Sequence, residues 1–302
     1  MSSTTDKYIG SGRLQERGIA IAANNQKTPV VQVAPATADT FVDDLVVLSA
    51  SDVKNNTLLP DSTQSVILES KETTIVQYSD GPWISFNFDD GFESAYQNAL
   101  PIMNVAGFKT TQYIITGVIG VKDYVTVEEL YDMQLHGHEI GSHTQTHSNL
   151  VHLSLDQAQN EIFDSKKDLF DLGISATTFS YPNGSVNPAI ENLVKEAGFV
   201  GARITKPGFN DATTDPYLLW YFGVNESTTF PIIQHEIDRA VKNKKWLILV
   251  FHRIDESPGA YYENVSHEIV QQIVDYVNQN HIRVVTNAQG LQMLREKSVT
   301  ES

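Results

Sequence analysis

Trp83-Ile84-Ser85-Phe86-Asn87-Phe88-Asp89-Asp90-Gly91 opens a new pattern in a chain of 302 residues: a strand-like run delivers two adjacent carboxylates into a turn. From Pro82 onward, short apolar runs alternate with helical segments. A helix is expected from about Ser94 to Val105, a strand over Thr110 to Ile115, and a helix over Val125 to Leu135. Thr126 is placed to cap that helix, with Glu129 three residues on as its capping-box partner. His138 to Ser142 reads as a strand, and Ser154 caps a long amphipathic helix to about Leu172. Further strands are expected at Thr177 to Tyr181, Phe199 to Ile204, Leu218 to Val224, Leu247 to Phe251 and Ile282 to Val285, with helices between them and a closing helix from about Ala288 to Glu296. Seven or eight strands separated by helices, several of them uniformly apolar, predict a parallel sheet covered by helices. Closure into a distorted (β/α)7–8 barrel is more economical than an open sheet of that width.

The flanks differ in character. Residues 1–40 are rich in Ser, Thr, Asn, Gln and Ala and read as a loosely ordered arm. Residues 41–81 carry short β-like runs (Leu45-Val46-Val47-Leu48, Ser65-Val66-Ile67-Leu68, Thr74-Ile75-Val76) broken by turn residues, a β-rich or irregular lead-in. The barrel is expected over 82–297, and 298–302 is a tail.

Composition narrows the function classes. With 21 basic residues against 37 acidic ones, the formal charge is −16, which argues against nucleic acid or an anionic membrane as the main partner. No cysteine is present, so thiolate metal sites, cysteine nucleophiles and disulfides are excluded. No apolar run reaches the length of a transmembrane segment, and Met1-Ser2-Ser3-Thr4-Thr5-Asp6 lacks the pattern of a secretory signal. Oligomeric state is not legible.

The polar residues that carry chemistry fall at strand ends. Asp89-Asp90, His143, Tyr181-Pro182-Asn183 and His252 each sit at or just beyond the C-terminal end of an expected strand, the face on which βα-barrels build their sites. His143-Thr144-Gln145-Thr146-His147 places two imidazoles at i and i+4, on one face of a helical turn, a spacing that lets both reach one ion. One carboxylate and two imidazoles are the donor set of a catalytic zinc-type ion with open positions, and the spare aspartate can act as a base on water. His252, closing the run Leu247-Ile248-Leu249-Val250-Phe251, is suited to proton donation near neutral pH.

Phe88-Asp89-Asp90-Gly91, His143-Thr144-Gln145-Thr146-His147, Phe179-Ser180-Tyr181-Pro182-Asn183-Gly184 and Val250-Phe251-His252 occur in the order and approximate spacing of the polysaccharide deacetylases, and Pro82 to Glu296 resembles that family (carbohydrate esterase family 4, the NodB-homology domain). The resemblance implies a distorted βα-barrel that removes N- or O-linked acetyl groups from a sugar polymer. An N-acetylglucosamine polymer such as chitin or peptidoglycan glycan is the default substrate, and acetylxylan the alternative. It implies Asp89 as general base, Asp90, His143 and His147 as ligands of one divalent ion (Zn2+ first, with Co2+, Ni2+ or Mn2+ open), the Asn183 N–H as an oxyanion donor and His252 as general acid. An extracellular or cell-surface location follows from that substrate class. The third motif departs from the pattern: Ser180 and Asn183 stand where many members carry an arginine and a tyrosine, and Arg203 is a candidate to supply the cation. The acidic and tryptophan segment that orients the acid histidine is unassigned among Asp211, Asp215 and Trp220. Tyr181, Pro182, Arg203 and Trp220 are candidate substrate contacts. A glycan-binding or structural module without turnover is the other class of reading, and the full Asp-Asp-His-His-His set argues against it.

Overall fold

In the computed structural model of the chain, residues 81–255 and 264–300 are described, together with an antiparallel pairing of Ile21–Ala22 with Val30–Val31. Apart from that pairing, the expectations for the arm and the lead-in lie outside the described residues. Seven parallel strands form the wall: β1 Trp83–Phe88, β2 Thr111–Ile114, β3 Glu139–Ser142, β4 Thr178–Ser180, β5 Gly201–Pro207, β6 Leu219–Gly223 and β7 Trp246–Phe251. They are joined in sequence order, and β7 then pairs with β1 along its whole length, Trp246 beside Trp83 through Phe251 beside Phe88. The barrel is therefore closed. It is distorted on the other side of β1, where β2 meets only Asn87 and Phe88 while the short strand Arg283–Val284 lies beside Trp83 and Ile84.

Side-chain alternation explains why β1 can carry both packing and chemistry. Successive strand residues face opposite sides. Ile84, Phe86 and Phe88 join the outer layer, where they pack with Phe251 and with the helices α1 (Glu93–Asn98), α2 (Leu100–Val105), α6 (Phe230–Asn243) and α7 (His267–Gln279). Ser85 and Asn87 are buried on the opposite face, which leads up to Asp89. A second outer layer packs β2 to β5 against α3 (Val127–Leu135), α4 (Leu155–Asp171) and α5 (Pro188–Glu196). Inside the lower half, Trp83, Leu219, Trp246, Ile248 and Val250 meet Leu291 of α8 (Asn287–Thr300). The start of α8 touches the first residues of three strands: Ala288 N–H donates to Glu139, Leu291 lies on Gly201 and Gly290 on Trp246. It closes the N-terminal mouth and leaves the opposite end for the site.

Local signals held where backbone chemistry is strong. Thr126 with Glu129 and Ser154 with Gln157 both form complete capping boxes. The single helix expected over 94–105 is instead two, broken at Ala99, because Pro101 lacks the N–H and crowds the carbonyl four residues earlier.

His138, just before β3, is buried and neutral by construction. Its Nδ1 accepts the Thr110 N–H (3.1 Å), so Nε2–H is left to donate to Asn104 Oδ1 (3.0 Å). Burial, with Lys109 and His136 nearby, lowers its pKa from 6.5 to about 4. Because the folded value lies below the unfolded one, the unfolded chain binds the extra proton between those pH values, and stability falls as pH drops across the window. The shift corresponds to about 3 kcal/mol of folding free energy at neutral pH, lost between pH 6.5 and 4. Urea unfolding from pH 4 to 7 should show this slope in the wild type and a shallower one in His138→Gln. Equal slopes would mean that another group titrates.

Candidate metal centre

The parallel register brings the strand ends to one level. Asp89 N–H donates to Phe251 O (2.9 Å), so Asp89 and His252 leave adjacent strands β1 and β7 side by side. Ser142 of β3 is paired with Phe179 of β4, which sets His143 against Ser180. His143 Nδ1 lies 2.7 Å from the Ser180 carbonyl. A carbonyl can only accept, so Nδ1 carries the proton and Nε2 keeps its lone pair.

That Nε2 and the Nε2 of His147 each lie 3.5 Å from Asp90 Oδ1, and the three ligating atoms are all within 4.8 Å of one another. Asp90 Oδ1 is buried and has no hydrogen-bond partner, although buried carboxylate oxygens are ordinarily satisfied. Donors about 2.0–2.1 Å from a tetrahedral ion stand roughly 3.4 Å apart, close to the 3.5 Å between Asp90 Oδ1 and each imidazole nitrogen. The donor set, the orphaned oxygen and the fixed tautomer all fit a divalent cation.

The ligands are not on a helical turn, contrary to the i, i+4 expectation. His143 ends β3, and an irregular loop carries the chain to His147 with Thr144 at φ 66° and His147 at φ 61°. Asp90 (φ 72°) and Asn183 (φ 56°) are left-handed as well, so four of the seven described non-glycine residues with positive φ belong to this centre. Each such residue costs about 1–3 kcal/mol, and the cost concentrates where function constrains the backbone.

Asp89 is 4% exposed and meets a cation from a strand that is distant in sequence. Arg203 Nη2 donates to Asp89 Oδ2 and to Ser180 Oγ (2.6 Å). The guanidinium sits between two rings, 5.6 Å from the Tyr113 centroid and 5.3 Å from that of Tyr221. Burial alone would raise the Asp89 pKa, but Arg203, with His143 and His252, outweighs it and holds the carboxyl below the ordinary aspartate value. Oδ1 of Asp89 remains buried without a partner. For His143, burial lowers the pKa against the opposing pull of Asp89 and Asp90, which keeps the ring neutral.

The other candidates divide. His252 is half-buried and close enough to Asp89 to influence its charge. Asn183 is exposed on the turn after β4, where Thr205 Oγ1 donates to its carbonyl (3.3 Å). That turn requires Gly184, because a Cβ there would lie 2.4 Å from Thr205 N. Tyr181 and Pro182 are buried, with Tyr181 packed edge-on against Phe179, so neither presents a surface to a ligand. Trp220 faces the α6 side of the wall, under Lys206 and lining an outer cleft of about 620 Å3 with Phe209 and Arg239. Arg203 is 1% exposed and holds Asp89 rather than a substrate. Asp211 bonds to Lys245 and Thr213, and Asp215 caps Tyr217 N–H; neither is bonded to His252.

Residues 77–202 match the family described as polysaccharide deacetylase. The match covers less than half of the chain, 126 of its 302 residues. The chain is similar to the provisionally named polysaccharide deacetylase YxkH of Bacillus subtilis (37% identical over 127 residues, 41% of this chain and 45% of the relative) and to the peptidoglycan-N-acetylglucosamine deacetylase of Bacillus cereus (29% over 117 residues, 38% and 53%). The chain spans about half the length of the curated relatives it matches. In fold it is similar to a provisionally named polysaccharide deacetylase from Mycobacterium smegmatis, with a TM-score of 0.56 at 15% identity over 73% of this chain and 92% of that one.

The buried pair generates a stability prediction. Arg203→Met strands a buried carboxylate and should cost about 3–5 kcal/mol by urea unfolding at pH 7. Adding Asp89→Asn should return a large part of the loss, since the two groups are directly coupled. Simple additivity in the double variant would mean that the pair does not carry the energy.

Proposed function

We propose that the protein is a metal-dependent polysaccharide deacetylase acting on an N-acetylglucosamine-containing glycan. The observation that carries this reading is the pair of partnerless buried oxygens: Asp90 Oδ1 facing two imidazole nitrogens, and Oδ1 of the preceding residue, Asp89. Neither is explained by packing, and together they supply a ligand and a base. The relative from Bacillus cereus, by its name a peptidoglycan-N-acetylglucosamine deacetylase, supports an N-acetyl sugar as the substrate class.

Asp90, His143 and His147 would hold the ion. When bound, a divalent cation of this kind polarises a carbonyl and makes water acidic enough to be deprotonated near neutral pH. Asp89, kept ionised by Arg203, takes the proton of the attacking water through Oδ1. The N–H of Asn183 donates to the oxygen that gains charge as the acetyl carbon becomes tetrahedral. His252, adjacent to Asp89 across the β1–β7 ladder, delivers a proton to the departing sugar nitrogen. A substrate of this class lies outside the cell membrane, so the reading puts the protein's work at the cell surface or beyond. Among the described residues no helix is long and apolar enough to cross a membrane.

Acetate release from chitooligosaccharides, peptidoglycan and acetylxylan, measured after chelation and again after reloading with Zn2+ or Co2+, tests the reading directly. Release that returns only with metal, and is greatest on the N-acetyl substrates, is the expected result. Metal bound at one equivalent with no release from any of them would favour a glycan-binding module instead. Asp89→Asn should keep the metal and lower kcat by at least ~100-fold. Retained activity would reassign the base.

A further inference from the structure

His147 is the less supported of the two imidazoles. His143 is fixed by its strand and by the Ser180 carbonyl, whereas the His147 ring, with a third of its surface exposed, has no hydrogen-bond partner among the described residues. Its aim therefore depends on the backbone between Thr144 and His147, which is left-handed at both ends. Only one bond inside the loop steadies it, from His147 N–H to Thr144 Oγ1 (3.0 Å).

The rest of the support comes from α4. Glu161 Oε2 accepts the N–H groups of Gln145 (3.1 Å) and Thr146 (2.8 Å), and Oε1 accepts the Thr146 hydroxyl (2.5 Å). One carboxylate thus meets two consecutive amides that lie between the ligands, the Gln145 N–H being shared with the Glu161 main-chain carbonyl (3.2 Å). Two turns further along α4, Asp168 accepts from the Gln145 side chain (3.2 Å) and from Thr116 (2.7 Å). From the opposite side Gly117 N–H donates to Gln145 O (2.8 Å) at a contact so close that a Cβ on residue 117 would stand 2.5 Å from that oxygen. The loop is gripped between a carboxylate and a glycine.

We infer that Glu161 is the positioning residue for His147, setting metal affinity through the backbone of the ligand loop. The inference rests on the metal-centre reading above and adds to it a residue that touches neither metal nor substrate. A carboxylate is suited to this task because an ionised acceptor binds amide N–H groups about twice as strongly as a neutral one. Glutamine in its place keeps the length of the side chain but can accept through one oxygen only.

Co2+ titration of the full chain, followed by visible absorption and by competition with a chelator, reads the effect without any substrate. Supporting groups of ligands are worth about 10–100-fold in metal affinity. Glu161→Gln should weaken Co2+ by about tenfold and Glu161→Ala by up to about 100-fold, each with an altered absorption band. In a His147→Ala background, Glu161→Gln should have no further effect. The thermal midpoint of the metal-free proteins separates folding from positioning. Affinity within twofold of wild type in both variants, or an undiminished loss in the His147→Ala background, would overturn the role of Glu161 while leaving the metal centre in place. Wild-type protein that takes up no Co2+ would overturn both.

Discussion

Everything at the open end of the barrel depends on a carboxylate that is buried and still charged. Asp89 stands on the interior face of a closed wall, where desolvation disfavours its ionised form. Burial raises its proton affinity, and a nearby cation opposes that. Arg203 supplies that cation, and the guanidinium is itself held by Ser180 and by two flanking tyrosine rings. The pair is satisfied on one oxygen of Asp89 and open on the other, which is what a base requires: charged, fixed in place and able to accept.

The same division of labour recurs around the centre. Asp90, Thr144, His147 and Asn183 hold left-handed backbone that their side chains do not favour. The neighbouring framework compensates: Glu161 and Asp168 from α4, the Thr205 contact to the turn after β4, and the β1–β7 ladder that sets Asp89 beside His252. Apolar burial in the two outer layers stabilises the wall, and the wall in turn makes strained positions tolerable at its rim. The lower half of the barrel is filled by Trp83, Trp246 and the start of α8, so the chemistry has one accessible end.

A site built this way has two separable electrostatic tasks in one small space. The ligand trio is arranged to hold a cation, while Arg203 pairs with Asp89 through Oδ2, the oxygen that also lies 4.0 Å from His143 Nε2, and biases the carboxyl toward ionisation. Charges so close are coupled, and His143 approaches both aspartates. Loading the ion will therefore change the proton affinity of Asp89 as well as that of water.

Much of this was written locally in the chain. The strand ending in Asp89-Asp90, the two histidines four apart, the histidine closing an apolar strand and both capping boxes depend on neighbours within a few residues, and the barrel follows from alternation of short apolar runs with helices. What sequence could not supply was set by contacts over long separations. Arg203 was already the candidate cation in the sequence, but its reach to Asp89 across 114 positions rests on the strand order and stagger that carry β5 to the level of β1. His143 and His147 keep their spacing but not the expected helical turn, since α4 and residues 116–117 grip the loop instead. Pro101 was visible, yet where the helix would break was not. Tyr181 and Trp220 read as sugar-facing aromatics, but which face of a wall a residue occupies is decided by register and by the layer behind it, so one became core and the other lines an outer cleft. Which residues are candidates for the chemistry was thus legible in the sequence itself, because it rests on residue type at strand ends. Their charge states and partners were decided only by the closed barrel, because burial and Coulomb interaction depend on distances in space that spacing along the chain does not encode.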